Sequence, residues 1–142
     1  MIIPDVNLLV CAYNADAPRH SSAREWWEIV CNQGQSIGLP WAVTCGFVRV
    51  MTSPGALTSP LRPGAALSAV QSWLNRSHVG VLDPGPRHLE IMTGLLDTLG
   101  VAGKLTSDAH IAAIGIEYQA EVCSNDSDFS RFPGLRWSNP LS

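Results

Sequence analysis

The chain is predicted to fold as a three-layer α/β/α domain around a central, mostly parallel sheet. Short apolar runs alternate with segments of helical period from end to end, and the strands are separated by helices of ten or more residues. Each such crossover returns the chain to the same end of the sheet, which makes the strands parallel and covers both faces. No repeat, linker or low-complexity block interrupts the pattern, and 142 residues suit one domain over 1–142.

The elements follow in order. Met1 to Val10 is an apolar run in which Asp5 ends the first strand. Ser22 and Glu25 stand at capping-box spacing, and Trp26, Trp27, Ile29 and Val30 supply the apolar side of the helix they open, with Gly34 as its stop. Ser36 to Leu39 is a second strand. Pro40 and Trp41 then open a helix carrying Val43, Phe47, Val48 and Met51, which Pro54 ends. The Pro/Gly/Ser-rich stretch from Pro54 to Gly64 is a loop, and Pro63 suits the first turn of a helix with Leu67, Val70, Trp73 and Leu74 on one side. Val79 to Leu82 is a third strand. Pro86 starts a helix with Leu89, Met92, Leu95, Leu96 and Leu99, stopped by Gly100. A last helix from about Ser107 to Tyr118 precedes strands at Glu121 to Ser124 and Leu135 to Trp137.

Composition narrows the function. At 46% hydrophobic and 15% charged, the chain has the balance of a compact soluble protein. It lacks an apolar stretch of membrane-spanning length and a basic signal segment, so a cytoplasmic location without membrane contact is expected. Cys11, Cys31, Cys45 and Cys123 have no zinc-ligand spacing and are expected as buried free thiols. A formal net charge of −3 argues against tight nonspecific nucleic-acid binding, which rests on Lys and Arg neutralising phosphates. Nucleic acid as a substrate is still compatible, because a bound divalent cation reverses the local sign of an acidic cleft. Glycine-rich nucleotide-binding fingerprints are absent.

Topology gathers the acids. Asp5 ends the first strand, Asp126 and Asp128 follow the strand ending near Ser124, and Asp108 begins a crossover helix whose N-terminus lies at the same carboxyl edge. Open α/β sheets bind ligands at that edge. Each acid has a structural alternative: a turn or N-cap for Asp5, the helix macrodipole for Asp108, and an Asx-type turn for Asp126 to Phe129. Together those alternatives conflict, since two carboxylates about 4 Å apart repel by about 4 kcal/mol at an effective dielectric of about 20. A hard cation such as Mg2+, or alternatively Mn2+, removes the conflict.

These residues carry a resemblance. Ile3-Pro4-Asp5-Val6-Asn7-Leu8-Leu9, Ser107-Asp108-Ala109-His110-Ile111-Ala112-Ala113 and Ser124-Asn125-Asp126-Ser127-Asp128-Phe129 stand in the order found in PIN-domain ribonucleases. Leu39-Pro40-Trp41, Gly46-Phe47-Val48-Arg49 and Arg131-Phe132-Pro133-Gly134-Leu135-Arg136-Trp137 are similar to a subgroup of them, the VapC-type toxins of bacterial toxin-antitoxin pairs. The likeness spans nearly the whole chain. It implies a PIN-like fold and a Mg2+-dependent endoribonuclease neutralised by a cognate VapB-like antitoxin, and a homodimer. Asp5 and Asp108 match the principal metal ligands and Asp126 the family's fourth acid. Asp128 stands as an outer or alternative ligand. Asn7 either orients Asp5 or a water, or caps a helix, and Ser124 supports the site.

One departure stands out. Many PIN domains carry a glutamate where this chain has Gly46, which favours one metal over two. His110, two residues past Asp108, points about 200° around the helix from it and away from the acids; His20, His78 and His88 are likewise set aside. Arg49, on the helix leaving the active edge, is a candidate RNA phosphate contact, with a surface arginine or ion pair as the alternative. Trp26, Trp41 and Trp73 read as core or dimer contacts, while Trp27 and Trp137 stay open between packing and base stacking. The competing functional readings are a noncatalytic, decayed domain that chiefly binds a partner, an RNA-maturation nuclease, and a DNA-directed nuclease.

Overall fold

Asp5 divides the opening apolar run into two elements. In the computed structural model, which describes residues 1–142, Ile2–Pro4 forms strand β1 and Val6–Tyr13 forms helix α1. Asp5 has extended backbone, and its carboxylate accepts the Val6 N–H at 2.8 Å, so it is the N-cap that turns strand into helix. Only the alternative role of Asn7 as a helix cap pointed to α1, because an eight-residue segment that is almost wholly apolar has no polar face to reveal a period. It also follows that Asn7 lies inside the helix and is not its cap.

Helix α2, His20–Asn32, begins before the expected capping box. Arg19 occupies the N-cap without a side-chain bond, and Ser22 and Glu25 are exposed within the helix. Packing on α1 sets this start. His20 Nδ1 meets the Cys11 carbonyl at 2.9 Å, and Ala23, Trp27, Val30 and Cys31 face inward, leaving Ile29 outside.

Strand β2, Ile37–Pro40, leads directly into α3, Trp41–Met51, and after the expected loop Pro63 opens α4, Pro63–Leu74. Strand β3 is Val79–Leu82. Helix α5, His88–Leu99, starts two residues past Pro86 and ends where Gly100 takes φ +71°, a left-handed cap that favours glycine. A short 3-10 turn at Gly103–Leu105 leads into α6, Thr106–Glu117. Strand β4, Glu121–Cys123, a 3-10 helix at Ser127–Arg131 and strand β5, Arg136–Ser138, complete the chain. Leu67 and Leu89, expected on inner faces, are exposed; the inner sides of α4 and α5 are instead Ala66, Val70 and Trp73, and Leu95.

All five strands are parallel, in the order β3-β2-β1-β4-β5. Helices α1 to α4 pack among themselves and α5 packs on α6, as right-handed crossovers running in opposite directions along a sheet require. Tyr13, Phe47, Trp27 and Trp73 interlock α1 to α4: Phe47 and Trp73 meet edge-on with centroids 4.8 Å apart, and the Trp73 indole donates to the Tyr13 hydroxyl at 2.8 Å. Trp73 and Trp27 are therefore core residues, Trp26 lies half-buried beside Trp27, and Trp41 is exposed rather than core. All four cysteines are free. Three are buried or half-buried, while Cys45, against expectation, lies on the outer face of α3. No helix is long and apolar enough to cross a membrane.

Candidate metal centre

Strand order reverses at β1, which has β2 on one side and β4 on the other, and this is where a crevice opens at the carboxyl edge of a parallel sheet. Asp5 leaves β1 and Ser124 leaves β4 at that point, and the Asp5 N–H bonds to the Cys123 carbonyl at 2.9 Å. On the opposite face of the sheet, α6 begins at the same edge and carries Asp108 in its first turn. The acids are thus delivered by three separate elements.

Asp108, Asp126 and Asp128 each direct a carboxylate oxygen into one group, all within 4.8 Å of one another. At that spacing each pair of ionised carboxylates repels by about 3 kcal/mol at an effective dielectric of about 20. Burial, and then the charges of Asp5, Asp126 and Asp128, push the Asp108 carboxyl up to about 6. Asp126 caps the 3-10 helix by accepting the Asp128 N–H at 2.9 Å, so the expected Asx turn is present and also holds two acids of the group together.

Asp5 lies beside this trio and not within it. The residue is only 8% exposed, and its carboxylate accepts the Val6 N–H on Oδ1 at 2.8 Å and the Ser124 hydroxyl on Oδ2 at 2.7 Å. Burial raises its pKa most; the two hydrogen bonds lower it and Asp126 raises it. A carboxylate offers about four lone-pair positions, so two hydrogen bonds leave it free to ligate. Of the four expected ligands, Asp108, Asp126 and Asp128 form the tightest set, and Asp5 is buried beside it.

Asn7 donates to Ser124 Oγ at 3.4 Å, while its own Oδ1 is buried without a partner. An orphaned buried oxygen is costly unless something donates to it or binds it. Together with four carboxylates, of which only Asp128 has a basic partner, it makes an oxygen-only donor set that fits a hard divalent cation and suits thiophilic metals poorly. The cleft above is lined by Asp5, Val6, Asn7, Val10, Val50 and Asp126, among others.

Gly46 sits where α3 crosses α1. A Cβ there would come within 2.7 Å of Val6 Cγ2, so the α3 position that many PIN domains give to glutamate is closed by the neighbour of Asp5. Arg49 is not brought to the acids. It lines a separate apolar groove with Trp41, Thr44, Cys45, Val48, Leu67 and Val70. Sequence reasoning missed Arg131, whose guanidinium lies 3.8 Å from Asp128 at i,i+3 spacing. That spacing was its only signal, and a 3-10 helix had to form for it to count. His110, as expected, turns from the acids and meets His88 Nε2 at 2.8 Å. The Trp137 indole is also accounted for: it donates to the Ser124 carbonyl at 3.1 Å.

Residues 2–135 match the family model described as PIN domain. Ribonuclease VapC33 of Mycobacterium tuberculosis is 47% identical over 141 residues, covering 99% of both chains, and ribonuclease VapC37 of the same organism is 34% identical over 140 residues, covering 99% of this chain and 97% of its own. Among solved structures, the fold is similar to a chain of VapBC2 from Rickettsia felis bound to a DNA fragment from its promoter (TM-score 0.70, 20% identity, 98% of both chains). It is also similar to Mycobacterium tuberculosis VapC20, a Sarcin-Ricin loop cleaving toxin (TM-score 0.66, 17% identity, 96% of this chain and 99% of that one).

Proposed function

The chain belongs to the PIN-domain family, among the VapC ribonucleases, and from that premise we propose that it is a single-domain, Mg2+-dependent endoribonuclease, the toxin of a VapBC-type pair. The observation that carries this reading is the convergence of Asp108, Asp126 and Asp128 within 4.8 Å beside buried Asp5. A divalent cation among four carboxylates delivered by three elements offsets their mutual repulsion. Asp5, Asp108, Asp126 and Asp128 would hold it. When bound, such an ion lowers the pKa of a water to nucleophilic range and offsets the charge that develops on the scissile phosphate.

The chain's own residues have distinct tasks. Asp126 and Asp128, tied by the Asx turn, form the outer wall. Asp108 approaches from the start of α6. The floor is Asp5, held by Ser124, and the free Asn7 Oδ1 orients a water from below. Closure of the Gly46 position by Val6 leaves no glutamate from α3, which favours a single protein-held cation. Arg131 is the cation nearest the acids and would exchange Asp128 for an RNA phosphate, whereas Arg49 is an outlying contact for the chain beyond the cleft. A VapB-like antitoxin that inserts a basic side chain among the acids would silence the site, and a homodimer is the assembly that fits the family.

The test is cleavage of a labelled RNA pool by purified protein with Mg2+, Mn2+ or EDTA. Cutting that requires metal and is lost in Asp5→Asn and Asp108→Asn is the expected result. Folded protein that binds no Mn2+ and cuts nothing would instead favour a decayed, partner-binding domain.

A further inference from the structure

Ser124 has no exposed surface, and its hydroxyl is used to capacity. It donates to Asp5 Oδ2 at 2.7 Å and accepts from the Asp126 N–H at 3.0 Å and from Asn7 Nδ2 at 3.4 Å. A hydroxyl has one proton and two lone pairs, so this inventory is complete and the oxygen cannot rotate without breaking a bond. One atom therefore sets the spacing of Asp5, Asn7 and the Asp126 backbone.

Ser124 itself lies just past the end of β4, where ladder bonds run out. Two bonds from β5 hold it there. Its N–H donates to the Ser138 carbonyl at 3.0 Å, and its carbonyl accepts the Trp137 indole N–H at 3.1 Å. Val122 pairs with Trp137 in the sheet register, so the indole reaches two residues forward along β4. Strand β5 is an edge strand of three residues outside the matched span of 2–135. It is paired on one side only, so the side-chain bond from Trp137 adds to the ladder a direct tie between this edge and the site.

We infer that Trp137 is a positioning residue: its indole N–H clamps the Ser124 carbonyl and thereby holds Asp5, Asn7 and Asp126 at cation-binding spacing. This rests on the metal-nuclease reading for its consequence and on geometry alone for the clamp. A partner that positions a ligand from outside the coordination sphere typically changes metal affinity or activity by about 10–100-fold, and Trp137 acts one step further out, so about three- to tenfold is expected.

The experiment compares wild type, Trp137→Phe, Ser124→Ala and the double variant. Phenylalanine keeps a ring and removes the donor. Amide spectra of the metal-free proteins and Mn2+ titration are both measured. Trp137→Phe should shift the Asn7 and Asp126 amide signals and weaken Mn2+ by about three- to tenfold with kcat lowered and KM little changed. In the Ser124→Ala background the same change should have little further effect on Mn2+, because the hydroxyl it positions is gone. Unmoved Asn7 and Asp126 amides, or equal loss of Mn2+ affinity with and without the hydroxyl, would overturn the clamp. Should Trp137→Phe not fold, indole N–H exchange in wild type decides: protection at Trp137 supports the bond, and exchange as fast as a free indole refutes it. If the clamp registers in the spectra but wild type neither binds Mn2+ nor cuts RNA, the positioning role falls with the nuclease reading and the two failures are told apart.

Discussion

Replacing Asp108 with Asn should make the metal-free protein more stable, which is the reverse of what removing a site residue commonly does to a fold held by it. Asp108 titrates near 6 in the folded chain against an ordinary 3.8, because burial and the charges of Asp5, Asp126 and Asp128 oppose its ionisation. A carboxyl whose folded pKa is raised adds its full share of stability below the unfolded pKa and loses it as pH rises through the folded value. The loss therefore develops between about pH 4 and pH 6 and is complete at pH 7.5. At 1.36 kcal/mol per pH unit the rise corresponds to about 3 kcal/mol. Asp108 is partly exposed, solvent screens the repulsion, and the α6 N-terminus favours the charge, so about 1 kcal/mol is expected. For a chain of this size that is about 3–5 °C in melting temperature. Thermal unfolding in EDTA at pH 7.5 and pH 3.5 measures it: Asp108→Asn should gain at the higher pH and show little difference at the lower. Added Mn2+ should then raise wild type more than the variant, since binding to the folded state alone stabilises by mass action. A variant no more stable than wild type in EDTA at pH 7.5, or one with the same gain at both pH values, would refute the assignment of strain to ionised, uncompensated carboxylates.

Three further outcomes follow from named contacts. Gly46→Ala should destabilise by about 1–3 kcal/mol through overpacking on Val6, and Val6→Ala in the same chain should recover most of it in denaturant unfolding; lack of recovery would place the strain elsewhere. Arg131→Ala should weaken RNA binding more than Arg49→Ala while neither weakens Mn2+, as filter binding and Mn2+ titration would read; metal loss in Arg49→Ala would disprove its role as a distant contact. Burial and then His88 hold the His110 pKa below its usual value, so the stability this gives is present above about pH 6.5 and lost as pH falls through the folded value. His110→Gln should therefore flatten the acid limb of the stability profile below pH 6.5, and an unchanged limb would count against a half-buried, neutral His110.

The parts of the chain that could be read in advance were those whose signal is local. Pro63 at a helix start, Gly100 at a helix stop and the short Val-Gly-Val-Leu run of Val79 to Leu82 act within a few residues of themselves, and each element appears where these residues put it. Helix α1 was hidden for the same reason in reverse: Val6 to Tyr13 is buried on too many sides to carry a polar stripe, so only its packing declares it. The capping-box spacing of Ser22 and Glu25 was a local signal that lost to a tertiary one, the docking of α2 on α1 through His20 and Trp27.

For the site, chain order and parallel topology were enough to bring Asp5, Asp108, Asp126 and Asp128 to one edge, because in a parallel sheet every strand ends, and every crossover helix facing that edge begins, at the same place. Sequence by itself determined that coincidence and the missing glutamate at Gly46. The tertiary structure alone decided that Asp128 joins Asp108 and Asp126 while Asp5 becomes the floor, that Val6 closes the Gly46 position, and that Ser124 and Trp137 tie the edge together. These depend on side-chain directions and on close distances between residues from 13 to 119 positions apart, and neither residue identity nor spacing encodes those until the whole sheet is closed.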